Sequence, residues 1–82
     1  MKAPTIDGLW TSYRQRVIPA DAPAVQVIES RRAFYAGCQS LLTAIFGALD
    51  PDDEATDADV TVMATIEAEL RSFAELVKAG VA

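Results

Sequence analysis

The chain has 82 residues, with seven bases, twelve acids and no histidine, for a formal net charge of −5. Its one cysteine excludes an intrachain disulfide, and a lone thiol without histidine excludes a zinc site. So acidic a balance lacks the basic face that duplex DNA requires, and no apolar run approaches the ~18 residues of a membrane span. A single domain, 1–82, is expected at this length. Domains this small are marginal alone and usually lean on a disulfide, a metal or a partner chain. With the first two excluded and 51% apolar residues, a homodimer or higher oligomer is the expected support. The amino terminus lacks the pattern of a signal peptide, and the unpaired cysteine suits a reducing compartment, so a cytoplasmic location is expected.

Three helices follow in chain order, with no strand signal. The first is expected over about 6–17. Thr5 stands at its N-cap, Asp7 lies in the favoured first turn, and Pro19 stops it. Ile6, Leu9, Trp10, Tyr13 and Val17 recur at helical spacing and form its apolar face. "IPADAP" is a short connection. The second helix is expected over about 22–49, capped by Asp21 or Ala22, with Pro23 in its first turn. Its seam repeats by sevens: Ile28, Tyr35, Leu42 and Leu49 at one position, Arg31, Cys38 and Ile45 at the other. Val27, Phe34, Leu41 and Ala48 form a second stripe, so the apolar arc is wide enough for more than one neighbour. Gly37 and Gly47 lie inside this helix, each costing about 1 kcal/mol against alanine, and close approach of another helix is a reason to keep them.

The segment 50–58 is an acidic loop. "DPDDEATDAD", residues 50–59, holds six acids and no base, which leaves the remainder of the chain at +1. The third helix is expected over about 57–79, opened by Thr56 and Asp59 in the manner of a capping box. Met63, Ile66, Leu70, Phe73 and Val77 step by 3 and 4 along a heptad seam. Lys78 and Gly80 suit its carboxyl end. A short connection between the second and third helices allows an antiparallel hairpin. The expected fold is therefore all-α: a short N-terminal helix packed on a long antiparallel helical hairpin, oligomeric.

No catalytic or metal constellation emerges. Asp50, Asp52 and Glu54 imitate the start of a calcium loop, but Ala55 and Thr61 stand where its glycine and bidentate glutamate belong. Cys38 has no base nearby and reads as a small buried hydrophobe. Glu67 and Glu69 are two apart on a helix and face different directions. No enzyme and no cofactor are expected. The arginines are more informative. Arg14, Arg16, Arg31 and Arg32 fall at one end of the hairpin with Trp10, Tyr13, Phe34 and Tyr35, and of these Arg14, Arg31, Arg32, Trp10, Tyr13 and Tyr35 are the candidate ligand-binding residues. Guanidinium groups fork onto phosphates and stack on rings, so the cluster has the chemistry of a nucleotide receptor. The alternative is structural: Arg32 paired with Glu29, Arg31 with Glu75, and the aromatics joining helix 1 to the hairpin.

The stretch "PADAPAVQVIESRRAFYAG", residues 19–37, resembles a group of small phage and prophage proteins without a settled activity. Size, a short leading helix and a long hairpin are also similar to the phage anti-defence sponges, the anti-CBASS and anti-Thoeris proteins. That resemblance implies sequestration of cyclic nucleotides or ADP-ribose derivatives; "VTVMATIEAELRSFAEL" does not reproduce that family's characteristic stretch, so no residue role is carried over. The expected function is a non-enzymatic phage anti-defence protein that sequesters a nucleotide-derived immune signal. A protein–protein interaction module acting through an apolar helical face is the alternative, and a structural accessory is a third.

Overall fold

A computed structural model describes residues 3–48 and 57–82, and over these residues the regular structure is all helical, without a strand. Three helices occur: α1, Ile6–Val17; α2, Ala24–Ala48; and α3, Asp57–Lys78. The chain divides into two compact units, Met1–Thr43 and Ala44–Ala82. The expected residues Leu49 and Thr56, and the acidic loop as far as Thr56, lie outside the described residues.

In the first unit, α1 is fixed at both ends by its own sequence. Thr5 is extended (φ −122°, ψ 155°), and its hydroxyl oxygen accepts the Gly8 N–H at 3.0 Å. Its carbonyl accepts the Leu9 N–H, also at 3.0 Å. This satisfies one amino-terminal N–H that helical bonding leaves over. At the other end Ile18 turns extended (φ −90°, ψ 126°), while its N–H still donates to the Arg14 carbonyl. A residue before proline is pushed out of the helical region by the pyrrolidine ring, and Pro19 follows. A turn closed by the Ala22 N–H on the Pro19 carbonyl leads into α2.

The first bonds of α2 are accepted by the Pro23 carbonyl, from Gln26 at 3.0 Å and Val27 at 3.2 Å. The helix therefore begins at Ala24 rather than at 22. Pro23 sits just before it and not inside its first turn, and needs no N–H there.

The core is much smaller than the apolar periodicity suggests. Among the described residues Trp10 alone is buried, at 5% exposure. On α1, Tyr13 is half-buried, while Ile6, Leu9 and Val17 are exposed. On α2, Val27, Phe34, Tyr35, Cys38 and Ile45 are half-buried, while Ile28, Leu41 and Leu42 are exposed. Cys38 is thus only partly covered, contrary to its expected place in a closed seam. A Cβ built at Gly37 or Gly47 meets nothing within 4 Å among the described residues, so these residues supply no close helix contact there.

In the second unit, the expected seam of α3 is mostly open, with partial burial confined to the amino-terminal half of the helix. Val62 and Ile66 are half-buried, whereas Met63, Leu70, Phe73 and Val77 are exposed. Thr61 and Thr65 donate their hydroxyls to the carbonyls of Asp57 and Thr61, each at 2.8 Å. Two ion pairs, Glu67 with Arg71 and Glu75 with Lys78, run along the exposed surface of α3. Its carboxyl end closes as a Schellman motif: Val81 N–H to the Leu76 carbonyl, Gly80 N–H to the Val77 carbonyl, both 3.1 Å, with Gly80 at φ 77°.

The glycines therefore divide by sign. Gly37→Ala and Gly47→Ala, in open helix, are expected each to stabilise by about 0.5–1 kcal/mol, whereas Gly80→Ala, forced into a left-handed conformation, is expected to cost about 1 kcal/mol or more. Thermal melts followed by far-ultraviolet circular dichroism check this. A fall in midpoint for Gly37→Ala or Gly47→Ala would show that the position is occupied by something outside the chain.

Candidate functional site

The six residues singled out by sequence all lie in the first unit. They do not form one pocket. Trp10 and Tyr13 are a helical turn apart on α1 and meet Phe34 of α2. Ring centroids are 6.0 Å apart for Trp10 and Tyr13, 5.6 Å for Trp10 and Phe34, and 5.4 Å for Tyr13 and Phe34. The Trp10–Phe34 pair is edge-on, a favoured arrangement for rings with electron-rich faces and electron-poor edges. Phe34 also lies edge-on to Tyr35 at 6.4 Å. Phe34 is thus the ring through which the cluster is connected. Its spacing puts Phe34 on a second apolar stripe, at the same end as the other rings, but spacing cannot reveal which stripe meets α1.

Trp10, read from sequence as stacking surface for a ligand, is spent on this contact and offers little of its ring to solvent. Tyr13 is likewise engaged and half-buried. Tyr35 differs: the Arg31 guanidinium carbon lies 5.3 Å from its ring centroid, within cation–π range. Arg31, Arg32, Tyr35 and Ile28 line one surface depression of about 300 Å³. Ile28 was not among the residues chosen from sequence. The signal was present, because it is the seam residue one turn before the arginine pair.

Arg14 lies elsewhere. With Trp10, Thr11, Gln15, Ile18, Pro19 and Ala20 it lines a second depression of about 480 Å³ at the end of α1. Arg14 and Arg16 both stand in the last turn of α1, where a cation offsets the negative end of the helix dipole. The Arg16 Nε donates to the Ser12 carbonyl at 3.4 Å. Arg14 thus has a local role at the end of α1 beside its place in the second depression.

Within the first unit Glu29, three residues from Arg32, makes no ion pair with it. In the second unit Glu75 is held by Lys78 at 3.4 Å. Arg31 and Arg32 are exposed and have no carboxylate partner in the first unit. The charges are also unevenly distributed. Residues 1–43 contain five bases and three acids, and residues 44–82 contain two bases and nine acids. Among the described residues, no group of three or more histidine, cysteine, aspartate or glutamate side chains is arranged to hold a metal. No helix there is long and apolar enough to cross a membrane.

No protein-family model, curated protein or solved structure matches this chain. The groove offers two cationic forks, a ring already capped on one side by a guanidinium, and an apolar side chain at Ile28.

The aromatic cluster and the arginine groove respond differently to substitution. Trp10→Ala is expected to cost about 3–5 kcal/mol and to abolish cooperative melting of the first unit. Arg31→Gln and Arg32→Gln, which break no ion pair there, are expected to change stability by no more than about 0.5 kcal/mol. Chemical denaturation of the three variants checks the contrast.

Proposed function

We propose that this protein is a non-enzymatic binding protein that captures a small anionic ligand bearing both a phosphate and an aromatic ring. On this reading it is a phage anti-defence protein that sequesters a nucleotide-derived immune signal, of the cyclic oligonucleotide or cyclic ADP-ribose type, in the bacterial cytosol. The observation that carries the reading is the groove of Ile28, Arg31, Arg32 and Tyr35. Its two guanidinium groups are exposed and unanswered by a carboxylate of their own unit. An arginine fork binds phosphate through paired, charge-assisted hydrogen bonds. The neighbouring ring and the flat guanidinium above it supply stacking surface for a base. The groove of about 300 Å³ is at the small end of ligand clefts, which suits one phosphate-and-ring moiety. Phage-like residues 19–37 support the biological setting. α2 and α3 as the arms of an antiparallel hairpin, and self-association of the chain, belong to the same proposal.

A second reading has its own support. Leu70, Phe73, Leu76 and Val77 leave the carboxyl half of the α3 seam uncovered. Such a stripe on a short chain suits a protein–protein module with no small ligand.

Calorimetry against cyclic dinucleotides, cyclic trinucleotides and cyclic ADP-ribose isomers separates the two readings. The capture reading expects at least one ligand with micromolar affinity. It also expects Arg32→Ala to weaken that ligand about tenfold, roughly 1.4 kcal/mol, with helicity unchanged. Binding no tighter than millimolar across the panel rejects capture and leaves the protein module.

A further inference from the structure

The turn between α1 and α2 closes one side of the second depression. Ile18 leaves the helix in an extended conformation, Pro19 follows with φ held by its ring, and the Ala22 N–H on the Pro19 carbonyl at 3.1 Å fixes the turn. Ile18 and Pro19 supply apolar surface there, and Thr11, Arg14 and Gln15, neighbours on one face of α1, supply polar groups. None of these three side chains makes a hydrogen bond or an ion pair with a described residue. No acidic side chain lines the depression.

Trp10 adds a donor. It is only 5% exposed, yet its indole N–H makes no hydrogen bond to a described residue. No buried side-chain nitrogen or oxygen among the described residues lacks a partner. The N–H therefore lies in the small part of the side chain that still reaches solvent, while its rings pack on Tyr13 and Phe34. Trp10 lines the second depression and not the groove at Arg31.

We propose that this depression binds a small organic carboxylate, its oxygens shared between the Arg14 guanidinium and the Trp10 indole N–H, its apolar body against Ile18 and Pro19. Both nitrogen groups donate and neither accepts, so the pair calls for an acceptor. A single guanidinium fork matches the two oxygens and the single charge of a carboxylate. A phosphate dianion finds half of its charge unanswered here, whereas the groove at Arg31 and Arg32 presents two cations. The Thr11 hydroxyl and the Gln15 amide donate or accept as the ligand requires. A volume of about 480 Å³ lies within the range of small-molecule clefts. The carboxyl end of α1 opposes an anion, but Arg16 stays on the Ser12 carbonyl and leaves that end a cation when Arg14 turns to the ligand. This site is separate from the groove, and it holds or fails independently of nucleotide capture.

Trp10 is the one tryptophan of the chain, so its indole N–H gives a single peak in proton–nitrogen correlation spectra. Titration with hexanoate is expected to move that peak downfield along a saturating curve, with half-saturation in the low-millimolar range or below. Hexanamide, the neutral match, is expected to leave it in place. Arg14→Gln is expected to weaken hexanoate about tenfold or more, and Arg31→Gln, outside the depression, to leave its affinity unchanged. No saturation at tens of millimolar, an equal shift with hexanamide, or an unchanged affinity in Arg14→Gln would each overturn the proposal. Inorganic phosphate moving the peak at lower concentration than hexanoate would overturn the assignment to a carboxylate. Where Arg14→Gln loses helicity, Arg14→Lys keeps the cation at the helix end and removes the fork. It is expected to weaken hexanoate severalfold, and full affinity in that variant would equally overturn the proposal.

Discussion

The first unit depends on the contact between Trp10 and Phe34. Trp10 is the one buried side chain among the described residues, and it comes from a helix of twelve residues. A helix that short is marginal in water by itself, because nucleation is costly and few bonds repay it. Packing of Trp10 and Tyr13 on Phe34 supplies what α1 lacks. The same ring extends the influence of the contact to the groove, because Phe34 lies against Tyr35 and Tyr35 carries Arg31. The contacts thus run without a break from Trp10 through Phe34 and Tyr35 to Arg31, although Trp10 does not line the groove.

This arrangement separates two kinds of arginine that look alike in the sequence. Arg14 and Arg16 occupy the last turn of α1 and complement its dipole. Arg31 and Arg32 stand about two turns into α2, beyond its first turn, where no dipole needs an offset. Their exposed guanidinium groups line a groove with Ile28 and Tyr35. The half of the chain that holds most of the acid lies beyond residue 43. The chain thus presents attractive potential of both signs together with bare apolar surface, a combination that leaves binding free energy to be gained from outside the chain.

What could be read from the sequence followed the range of the forces involved. Thr5, Pro19 and Gly80 each act on backbone groups within about one turn, so the limits of α1 and the end of α3 were legible as local chemistry. The all-helical class was legible for a similar reason, since 3.6-residue periodicity is a property of each segment by itself. Burial was not. Periodicity identifies an apolar face but cannot say whether anything covers it. Ile6, Leu9, Ile28, Leu70 and Phe73 share the spacing of Trp10 and Phe34 but remain exposed. The two helical glycines show the same limit: a missing side chain permits close approach but does not supply the neighbour. The site was legible in composition and not in partition. The arginine and aromatic residues were identifiable, whereas the split between a structural cluster at Trp10 and an open groove at Tyr35 depends on which ring Phe34 faces.

The position of Arg31 over Tyr35 has a thermodynamic consequence. A free arginine side chain explores many rotamers, and a ligand that gathers it in must offset that lost entropy, about 2 kcal/mol for the whole side chain. Resting on a ring whose own position is set by Phe34, the Arg31 guanidinium has given up part of this freedom before any partner arrives. Whatever carboxylate or phosphate approaches meets a donor fork that is already oriented. Lysine at the same position would keep the charge and lose this advantage, because an ammonium on a flexible stem has no plane to lay against the ring. The specificity of the groove would then rest on the shape of the cation as much as on its sign.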